Sequence, residues 1–448
     1  MSGEGGLNAP IRHPINWHDE DYYNADLLDV EMRRVFDICH GCRRCFNLCD
    51  SFPRLFDLID DSQSGELDTV KSADFAPVVD ACTLCDLCFM TKCPYVPPHE
   101  FDLDFPHLML RARAVSNKQG KTGFFDRQLT ETDRNGKLGC NFSSLSNWAS
   151  KRGNVLTRPL LEAVAGVHKD AELPKFNSRS LVEESAENPV VINQSAPALG
   201  RKVVLYATCF SNYNASEIGQ AAQAVLAHNG VEVETLHPGC CGMPQLEQGD
   251  LSRVSTQAKT VADAFKPWID KGYRIVALVP SCALMLKFEW PLIVPDDDNI
   301  RTLAEATSDI SEYICDIDRN EGLAEGLNPL DGGVTLHIAC HARAQNMGRK
   351  SAELLRLIPE TTINVIERCS GHGGAWGVKK DNFEVAMKIG KPVVRKAIQQ
   401  ADPYLVSECP LARDHILQGM EKLDGDKTVL DKSRHPIELM ALSYGLIK

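Results

Sequence analysis

From residue 200 onward, short apolar runs rich in β-branched residues alternate with longer segments of helical periodicity. This alternation is typical of βαβ units, in which helices join parallel strands. Six runs are predicted to be strands, at 202–207, 231–236, 274–279, 334–339, 362–367 and 404–407. Four segments are predicted to be helices, at 209–228, 251–270, 347–357 and 382–400. The second half of the chain is therefore expected to form α/β domains with largely parallel sheets.

The predicted elements and their cysteines occur twice. Cysteines follow the strands of both units: Cys209, Cys240, Cys241 and Cys282 in the first, and Cys340, Cys369 and Cys409 in the second. The spacings agree, since 240 minus 209 is 31 and 369 minus 340 is 29. Open α/β sheets bind ligands at the carboxyl ends of their strands, so the cysteines are expected to meet at one interface or at two neighbouring sites. The alternative is that they are small buried residues that cap strands.

Eight further cysteines form two tight runs near the N-terminus. The first run is Cys39-x2-Cys42-x2-Cys45-x3-Cys49, and the second is Cys82-x2-Cys85-x2-Cys88-x4-Cys93 followed by Pro94. Three thiolates at this spacing can bind three irons of one cubane, and the fourth ligand comes from the other run. The sequence thus predicts two [4Fe-4S] clusters, one held by Cys39, Cys42, Cys45 and Cys93 and the other by Cys82, Cys85, Cys88 and Cys49.

Two features of these runs differ from the usual spacing of two-cluster ferredoxins. Asp50 follows Cys49 where proline is usual, and four residues instead of three separate Cys88 from Cys93. The alternatives to iron–sulfur clusters are tetrahedral zinc, which favours two separated pairs of ligands, and inert buried thiols. The differences therefore raise a question about geometry and leave the iron–sulfur assignment as the main prediction.

The length of 448 residues predicts two or three domains. We expect a multidomain α+β protein, with a helical, ferredoxin-like dicluster module at 1–115 and a connecting region at 116–199. The two repeats are expected at 200–330 and 331–448. One or two helices and a flexible stretch near 180–197 are expected in the connecting region. The net charge of −13 argues against nucleic acid as a partner, because phosphate binding needs a cationic face.

The hydropathy of the chain predicts a cytoplasmic protein. Its longest uncharged apolar stretch, 275–286, has 12 residues, and spanning a bilayer takes about 20. The first residues lack the apolar segment of a secretory signal. The 17 cysteines are therefore expected to be thiols or ligands. Apolar residues at helical spacing over 155–167, beside Lys151, Arg152 and Arg158, predict a helix that lies either on a membrane or on a domain.

Together, the N-terminal runs and the repeats resemble the CCG-domain iron–sulfur oxidoreductases. The family pattern of Cys, Cys-Cys-Gly and Cys-x-x-Cys is matched in the first repeat by Cys209, then Cys240 and Cys241 before Gly242, and then Cys282. The chain is similar to the C subunits of anaerobic glycerol-3-phosphate dehydrogenases and, more distantly, to the B subunits of heterodisulfide reductases. This resemblance implies passage of electrons from a flavoprotein partner toward quinone, with peripheral contact at the cytoplasmic face of a membrane.

Three positions depart from the family pattern. Met285, Ser370 and Ala412 stand where the family has cysteine. The first repeat keeps four thiols, enough to hold one cluster, whereas the second keeps three. A third iron–sulfur or metal centre in the C-terminal half is therefore a hypothesis, and heterodisulfide cleavage is disfavoured. Cys140 and Cys315 match no motif and are expected to be buried free thiols.

Histidines lie close to the depleted second repeat. His337 and His341 flank Cys340, and His372 lies three residues after Cys369. A neutral imidazole can replace a thiolate ligand or relay protons near pH 7, which makes His341 and His372 the candidate catalytic residues. The alternative for each histidine, and for His237 in the first repeat, is a hydrogen bond to a loop carbonyl.

Three functions remain open on the sequence. The main hypothesis is an electron-transfer subunit, since the chain has cluster ligands but no flavin or nucleotide fingerprint, and a partner would supply the two-electron chemistry. The second is that the chain itself reduces a small molecule, a disulfide or a peroxide-derived substrate between the repeats. The third is a redox or metal sensor whose clusters control partner binding.

Overall fold

The computed structural model describes residues 10–424 and 432–447 and contains two parallel β-sheets. Their strands are β1 (Lys202–Tyr206), β2 (Glu232–Leu236), β3 (Arg274–Ala277), β4 (Thr307–Asp309), β5 (Val334–His337), β6 (Ile363–Ile366) and β7 (Tyr404–Ser407). The first sheet has the order β2-β1-β3-β4, and the second has the order β6-β5-β7. All of these strand pairs are parallel, which confirms the α/β character predicted for the second half.

The two sheets share one topology. In each, the first strand is central and is flanked by the second and third strands of its unit, so that Val204 pairs with both Glu234 and Ile275. In the second sheet Thr335 pairs with residues of β6 and β7 in the same way. All six predicted strands overlap observed ones. β4 was not predicted, because a strand of three residues is too short to show a period of two.

Helices form most of the remaining regular structure. The N-terminal part contains α1 (Ala25–Cys42), α2 (Ser51–Asp60), α3 (Ala76–Ala81) and α4 (Phe105–Lys118). The connecting region contains α5 (Phe124–Leu129), α6 (Thr132–Asn141), α7 (Ser143–Ser150), α8 (Thr157–Ala165) and α9 (Leu181–Glu187). The described residues before 116 contain no strand, and their likeness to a ferredoxin stays a prediction.

The helices of the repeats surround the two sheets. The first repeat contains α10 (Cys209–Tyr213), α11 (Ser216–His228), α12 (Met243–Leu246), α13 (Leu251–Ile269), α14 (Pro280–Leu284), α15 (Trp290–Ile293), α16 (Asp298–Ala306) and α17 (Ile310–Asn320). The second contains α18 (Cys340–Ala344), α19 (Lys350–Arg356), α20 (Phe383–Gln400), α21 (Pro410–Asp424) and α22 (Pro436–Ser443). Short 3-10 helices lie at Glu20–Tyr23, Leu67–Thr69 and Ser72–Phe75, and π-helical turns lie at Cys88–Lys92 and Met285–Glu289.

The connecting region is more helical than its sequence suggested. One or two helices were expected in 116–199, and five begin and end there, one of them within the stretch expected to be flexible. That helix, α9, begins with a capping box between Ser180 and Glu183. Leu181 is buried and packs on Gly219 of α11. A local cap together with a tertiary contact thus stabilises a segment that composition alone marks as a loop.

The two largest hydrophobic cores hold the parts of the chain together. One core runs without interruption from N-terminal residues such as Phe36 and Phe56 to Val204 and Ile275 in the first sheet. The other joins both sheets through residues that include Leu205 and Leu336. The cores therefore fix the N-terminal cysteine runs relative to the strand ends of both repeats.

Among the described residues, no helix is long and apolar enough to cross a membrane.

Candidate functional site

Four thiols of the N-terminal runs line one pocket near the protein surface: Cys39, Cys42, Cys45 and Cys93. Cys39 and Cys42 lie in the last turn of α1, whereas Cys93 comes from the second run. Burial raises the pKa of Cys39, and the neighbouring thiolates of Cys93 and Cys45 raise it further. Burial followed by the same kind of repulsion raises the pKa of Cys45 to about 12. Such a set is stable as thiolates only when cations lie between the sulfurs.

The other four N-terminal thiols form a second group: Cys49, Cys82, Cys85 and Cys88. Burial raises the pKa of Cys49, and the thiolates that raise it next belong to Cys85 and Cys82 of the other run. Burial likewise raises the pKa of Cys88, followed by its neighbours Cys85 and Cys82. Each group therefore takes three cysteines from one run and the last cysteine of the other.

Backbone N–H groups point at the sulfurs of both groups. The hydrogen bonds run from Ser51 and Phe52 to Cys49, from Leu84 to Cys82, from Leu87 to Cys85 and from Tyr95 to Cys93. Each of these bonds opposes the effect of burial and lowers the pKa of its cysteine. The backbone reaches this arrangement through left-handed residues, with φ of 52° at Arg43, 48° at Leu84 and 61° at Asp86. Cysteine sulfurs that accept hydrogen bonds from backbone amides are suited to bind iron–sulfur clusters.

The structure explains both departures from the usual spacing. A π-helical turn spans Cys88–Lys92, and the N–H of Cys93 donates to the carbonyl of Cys88 at 2.8 Å. A π-turn holds one residue more than an α-turn, so it absorbs the extra residue in this gap. Asp50, which stands in place of proline, precedes α2 and binds Arg54 one turn later. Neither departure therefore separates Cys49 or Cys93 from its group.

The four cysteines of the first repeat lie together at the ends of β1, β2 and β3. The sulfurs of Cys209 and Cys240 are 3.9 Å apart. Hydrogen bonds from Cys209 and Cys241 lower the pKa of Cys240, whereas bonding to Cys240 and Cys282 raises the pKa of Cys241. The buried Tyr206 donates from its hydroxyl to the carbonyl of Gly239 at 2.6 Å. These contacts place four thiols in one group, which the strand-end pattern predicted.

Asp133 of α6 holds the Cys-Cys turn from outside the repeat. Its carboxylate accepts from the Cys240 N–H at 2.8 Å and lies 2.9 Å from Nε2 of His237. The other ring nitrogen of His237 contacts the carbonyl of Ala207. Asp133 could not be recognised from the sequence, because it lies 107 residues before Cys240 and belongs to no motif. His237 forms the carbonyl contact that was considered as the alternative to a ligand role.

The three cysteines of the second repeat lie beside the N-terminal module. Burial raises the pKa of Cys340, and the thiolates that raise it further are Cys85, then Cys369 and Cys409. Burial also raises the pKa of Cys85 to about 12, followed by repulsion from Cys369. Cys85 is thus close both to its own N-terminal group and to the strand ends of the second repeat. No motif indicated this contact, since only the tertiary fold brings the two segments together.

The Cys-x-Gly turns of the two repeats are equivalent in structure. The N–H of Gly242 donates to the sulfur of Cys240 at 3.4 Å, and the N–H of Gly371 donates to the sulfur of Cys369 at 3.3 Å. Both glycines have a φ of 82°, a left-handed conformation that disfavours other residues. Ser370 therefore stands at the position of the second cysteine of the pair, where the first repeat has a thiol.

The two histidine candidates differ in their contacts. His341 joins three parts of the chain, because Nδ1 lies 2.8 Å from the Ser281 hydroxyl and Nε2 lies 3.4 Å from the Leu84 carbonyl. Burial lowers its pKa. Burial and His415 lower the pKa of His372 to about 3, and its Nε2 has no hydrogen-bond partner among the described residues. Both imidazoles are therefore neutral near pH 7, which disfavours a role as a cationic proton donor.

Three other residues have structural contacts. His337 lies 3.0 Å from the Ser407 hydroxyl and 2.9 Å from the carbonyl of Arg368, and burial lowers its pKa to about 4. Cys140 and Cys315 are buried and donate to the backbone carbonyls of other segments. Within the part of the chain that the structure describes, no three His, Cys, Asp or Glu residues are arranged to hold a single metal ion.

Comparison with known proteins identifies both repeats. Residues 203–287 and 334–411 match the cysteine-rich domain CCG. The C subunit of the anaerobic glycerol-3-phosphate dehydrogenase of Escherichia coli K12 is 26% identical over 325 residues, which cover 70% of this chain and 75% of that protein. The B subunit of the fumarate reductase (CoM/CoB) of Methanothermobacter marburgensis is 26% identical over 59% of this chain and 49% of its own length. An iron-sulfur protein of Methanococcus maripaludis is 26% identical over 57% of this chain and 47% of its own length.

Proposed function

Since this chain carries two cysteine-rich CCG domains, we propose that it is an iron–sulfur electron-transfer subunit of an oxidoreductase. The names of its relatives support this role, because two are subunits of a dehydrogenase or a reductase and a third is an iron-sulfur protein. The observation that carries the proposal is the pair of crossed thiol groups near the N-terminus. Cluster binding requires that thiols be grouped in fours, whereas the packing of buried cysteines does not require such grouping.

We assign one [4Fe-4S] cluster to each crossed group. The first would be held by Cys39, Cys42, Cys45 and Cys93, and the second by Cys49, Cys82, Cys85 and Cys88. When bound, such clusters accept and release single electrons. The chain orients its sulfurs with backbone N–H groups, among them those of the buried residues Phe52 and Leu87. The half-buried thiols of the first group leave that side open to a redox partner.

The proposed partner and acceptor are those that the sequence resemblance implies. A flavoprotein dehydrogenase would supply the two-electron chemistry, and a quinone at a membrane would take up the electrons. The electrostatic influence between Cys85 and the thiols of Cys340 and Cys369 supports the second repeat as a neighbour of the N-terminal module along this route. The approach of His341 Nε2 to the Leu84 carbonyl at 3.4 Å supports the same arrangement. This arrangement matters because electron exchange needs redox groups close together.

A third centre is proposed for the first repeat alone. Its four thiols, Cys209, Cys240, Cys241 and Cys282, lie in one group whose backbone is fixed by Asp133 and Tyr206. The second repeat offers only three thiols, and Ser370 occupies the place of the fourth. The first repeat therefore has the ligands for a cluster, whereas the second lacks one ligand and lies beside the N-terminal module.

The proposal is tested by counting electrons. The anaerobically purified chain is reduced with dithionite, freed of reductant and mixed with a water-soluble quinone while cluster absorbance is followed. We expect the wild type to deliver about one electron from each cubane cluster. Cys45→Ser and Cys82→Ser should each remove the electron of one group, because each breaks a different group.

The matched control for these variants is Cys140→Ser, which removes a buried thiol outside every group. It should deliver as many electrons as the wild type. A wild-type chain that takes up no electrons would contradict the proposed function. So would a Cys140→Ser chain that loses as much as Cys45→Ser, because the thiols would then act through folding and not through cluster ligation.

A further inference from the structure

The connecting region exposes an unusual amount of apolar surface. Of the 20 large hydrophobic side chains that are exposed among the described residues, ten lie between 124 and 164. They are Phe124, Phe125, Leu138, Phe142, Leu145, Trp148, Val155, Leu156, Leu160 and Val164. These ten side chains are called the apolar patch below. An exposed concentration of this kind marks a surface that contacts another molecule or a membrane.

The apolar patch follows the periodicity of its helices. Leu138, Phe142 and Leu145 are four and then three residues apart along α6 and α7. Leu156, Leu160 and Val164 are four residues apart along the turn before α8 and α8 itself. Residues at this spacing lie on one side of a helix. Each helix therefore presents an apolar side outward. A helix on a protein surface usually has its apolar side toward the core and its polar side toward solvent.

The opposite side of these helices is anchored firmly to the protein. Gly136 and Gly139 of α6 lie so close to the rings of Tyr213 and Phe176 that a Cβ at either position would clash. The buried Arg158 of α8 donates to four backbone carbonyls, those of Ser150, His168, Lys169 and Ala171, at 2.7–3.0 Å. Burial of the apolar side would require all of these contacts to break. The outward orientation is thus a built feature of the fold.

Charge singles out one kind of occupant for this surface. Residues 121–165 carry seven Lys and Arg against four Asp and Glu, a formal charge of +3 in a chain of −13. The exposed charged residues of the segment are all cationic: Lys121, Arg127, Arg134, Lys137 and Lys151. Three of the four carboxylates are paired inward, with Lys379, Arg253 and His237. The patch is therefore apolar with a cationic border.

We infer that the apolar patch docks on the surface of an anionic lipid bilayer. Exposed Trp and Phe with Lys and Arg beside them match the interface between acyl chains and acidic headgroups. A second copy of the chain fits less well, because two cationic borders would face each other across a symmetric interface. The inference names the surface for the membrane contact proposed above and rests on that proposal. It also places the lipid on the far side of α6, whose Asp133 holds the Cys240 turn.

The inference is tested by sedimentation of the iron-loaded full chain with vesicles. Vesicles of phosphatidylcholine alone are compared with vesicles that also contain phosphatidylglycerol, at low and high salt. We expect the chain to sediment with the anionic vesicles and to be released by salt. Leu156→Ser/Leu160→Ser should weaken partitioning at least about tenfold, because two exposed apolar side chains no longer enter the interface. Lys137→Glu/Lys151→Glu should abolish the preference for anionic lipid.

Matched controls carry the same substitutions elsewhere on the surface. Val191→Ser/Leu199→Ser removes two exposed apolar side chains outside the patch, and Lys388→Glu/Lys391→Glu reverses two exposed charges on α20. Both controls should bind vesicles as the wild type does. Equal binding by Leu156→Ser/Leu160→Ser and the wild type would overturn the inference. Equal binding to both kinds of vesicle would overturn the choice of an anionic surface.

The remaining outcomes identify another occupant. A wild-type dimer in sedimentation velocity that Leu156→Ser/Leu160→Ser dissociates, without vesicle binding, would overturn the inference in favour of a second copy. A monomer that binds no vesicle would overturn it in favour of a protein partner. Vesicle binding is read without electron transfer, so its failure in an iron-loaded, reducible chain leaves the proposed function intact. A chain that binds vesicles but takes up no electrons would overturn the proposed function alone.

Discussion

At the residue scale, the pairing of thiols between the two N-terminal runs is the most specific feature of the site. Cys49 groups with Cys82 and Cys85, although it follows Cys45 in the first run. We therefore expect Cys49→Ser and Cys82→Ser to alter the same EPR signal of the dithionite-reduced chain. Each should lose about four of about eight irons. The signal that Cys39→Ser removes should persist in Cys49→Ser, and its loss there would contradict the crossed assignment.

Asp133 is a second residue whose role can be measured. Asp133→Ala removes the acceptor of the Cys240 N–H and the partner of His237. The Asp133 side chain is 33% exposed, so we expect a loss of about 1–2 kcal/mol in the free energy of unfolding, toward the low end for bonds to charged groups. Iron bound by the first repeat should fall, while the eight N-terminal thiols keep theirs. Urea denaturation and iron analysis of both chains provide the measurement.

Glu131→Ala is the matched control for Asp133→Ala. Glu131 directly precedes α6, and its carboxylate accepts from Arg253, whereas that of Asp133 accepts from the Cys240 N–H. Exposed pairs of this kind contribute at most about 1 kcal/mol. Iron content in Glu131→Ala should equal that of the wild type. An equal loss of iron in both variants would assign the effect to the position of α6 and not to the bond with Cys240.

At the scale of elements, the Cys-x-Gly turns depend on glycine for two reasons. Gly371 has a φ of 82°, and a Cβ there would overlap the carbonyl of Ala386 and lie 2.8 Å from the N of Gly390. Gly272 has a similar φ of 85° with open space around it. We expect Gly272→Ala to lower the free energy of unfolding by about 1–2 kcal/mol through backbone strain alone. Gly371→Ala should cost at least about 2 kcal/mol more, because overpacking is added. Equal costs in chemical denaturation would contradict the close packing of this turn.

Much of the α/β architecture could be predicted from the sequence. The run 404–407 matches β7, and the segment 251–270 matches α13 to within one residue. The helix α13 is long enough to show helical periodicity in its sequence, and the short strand β7 is recognisable because all four of its residues are buried. Cysteines at the strand ends then located the first-repeat group of four, because parallel strands bring their carboxyl ends to one edge.

Other features could not be predicted, for physical reasons. The helices α5 to α7 are short and turn their apolar sides outward, so their pattern lacks the burial on which prediction relies. The helix predicted over 155–167 does form, as α8. The contact of Cys85 with Cys340 and the bond of Asp133 to Cys240 join residues that only the tertiary fold brings together. The sequence also left open whether the seven cysteines of the repeats meet at one interface or at two neighbouring sites, and their thiol neighbours divide them into two groups.

At the scale of the whole molecule, one buried cation joins the N-terminal segment to two other parts of the chain. Arg12 donates to Asp86 at 2.7 and 2.9 Å, to Asp104 at 2.8 Å and to Glu289 of the first repeat at 2.9 Å. Its side chain is 11% exposed. Asp86 lies between two cysteines of the second N-terminal group, so this ion cluster also fixes the position of that group relative to the repeat.

The loss of stability caused by removal of Arg12 should be large and should depend on pH. Arg12→Met leaves buried carboxylates without their partner, which costs about 3–5 kcal/mol at pH 7. Burial favours a raised pKa for Glu289, but His107 and Arg12 outweigh it and lower the pKa to about 2. The wild type therefore keeps this stabilisation above the ordinary Glu pKa of about 4.3 and loses it as pH falls from there toward about 2.

The difference between Arg12→Met and the wild type should accordingly shrink as the pH is lowered from 7 to 4. Without Arg12, protonation of the buried carboxylates removes their unpaired charge and so reduces the destabilisation of the variant. Over the same range the wild type begins to lose its ion pairs. Urea denaturation across this range provides the measurement. Arg34→Met is the control, since Arg34 pairs with the more exposed Glu31 and should cost at most about 1 kcal/mol. A difference in unfolding free energy between Arg12→Met and the wild type that stays constant with pH would contradict an electrostatic origin of the stabilisation by Arg12.

The iron and acid-labile sulfide content of the anaerobically purified chain, with EPR of the reduced form, shows directly whether the eight N-terminal thiols hold two clusters. We expect about eight irons and eight sulfides from the two N-terminal groups, and additional iron from the centre proposed for the first repeat. The additional iron should be absent from Cys240→Ala. A chain that contains zinc or no metal, without labile sulfide, would contradict the assignment of this protein to iron–sulfur electron transfer.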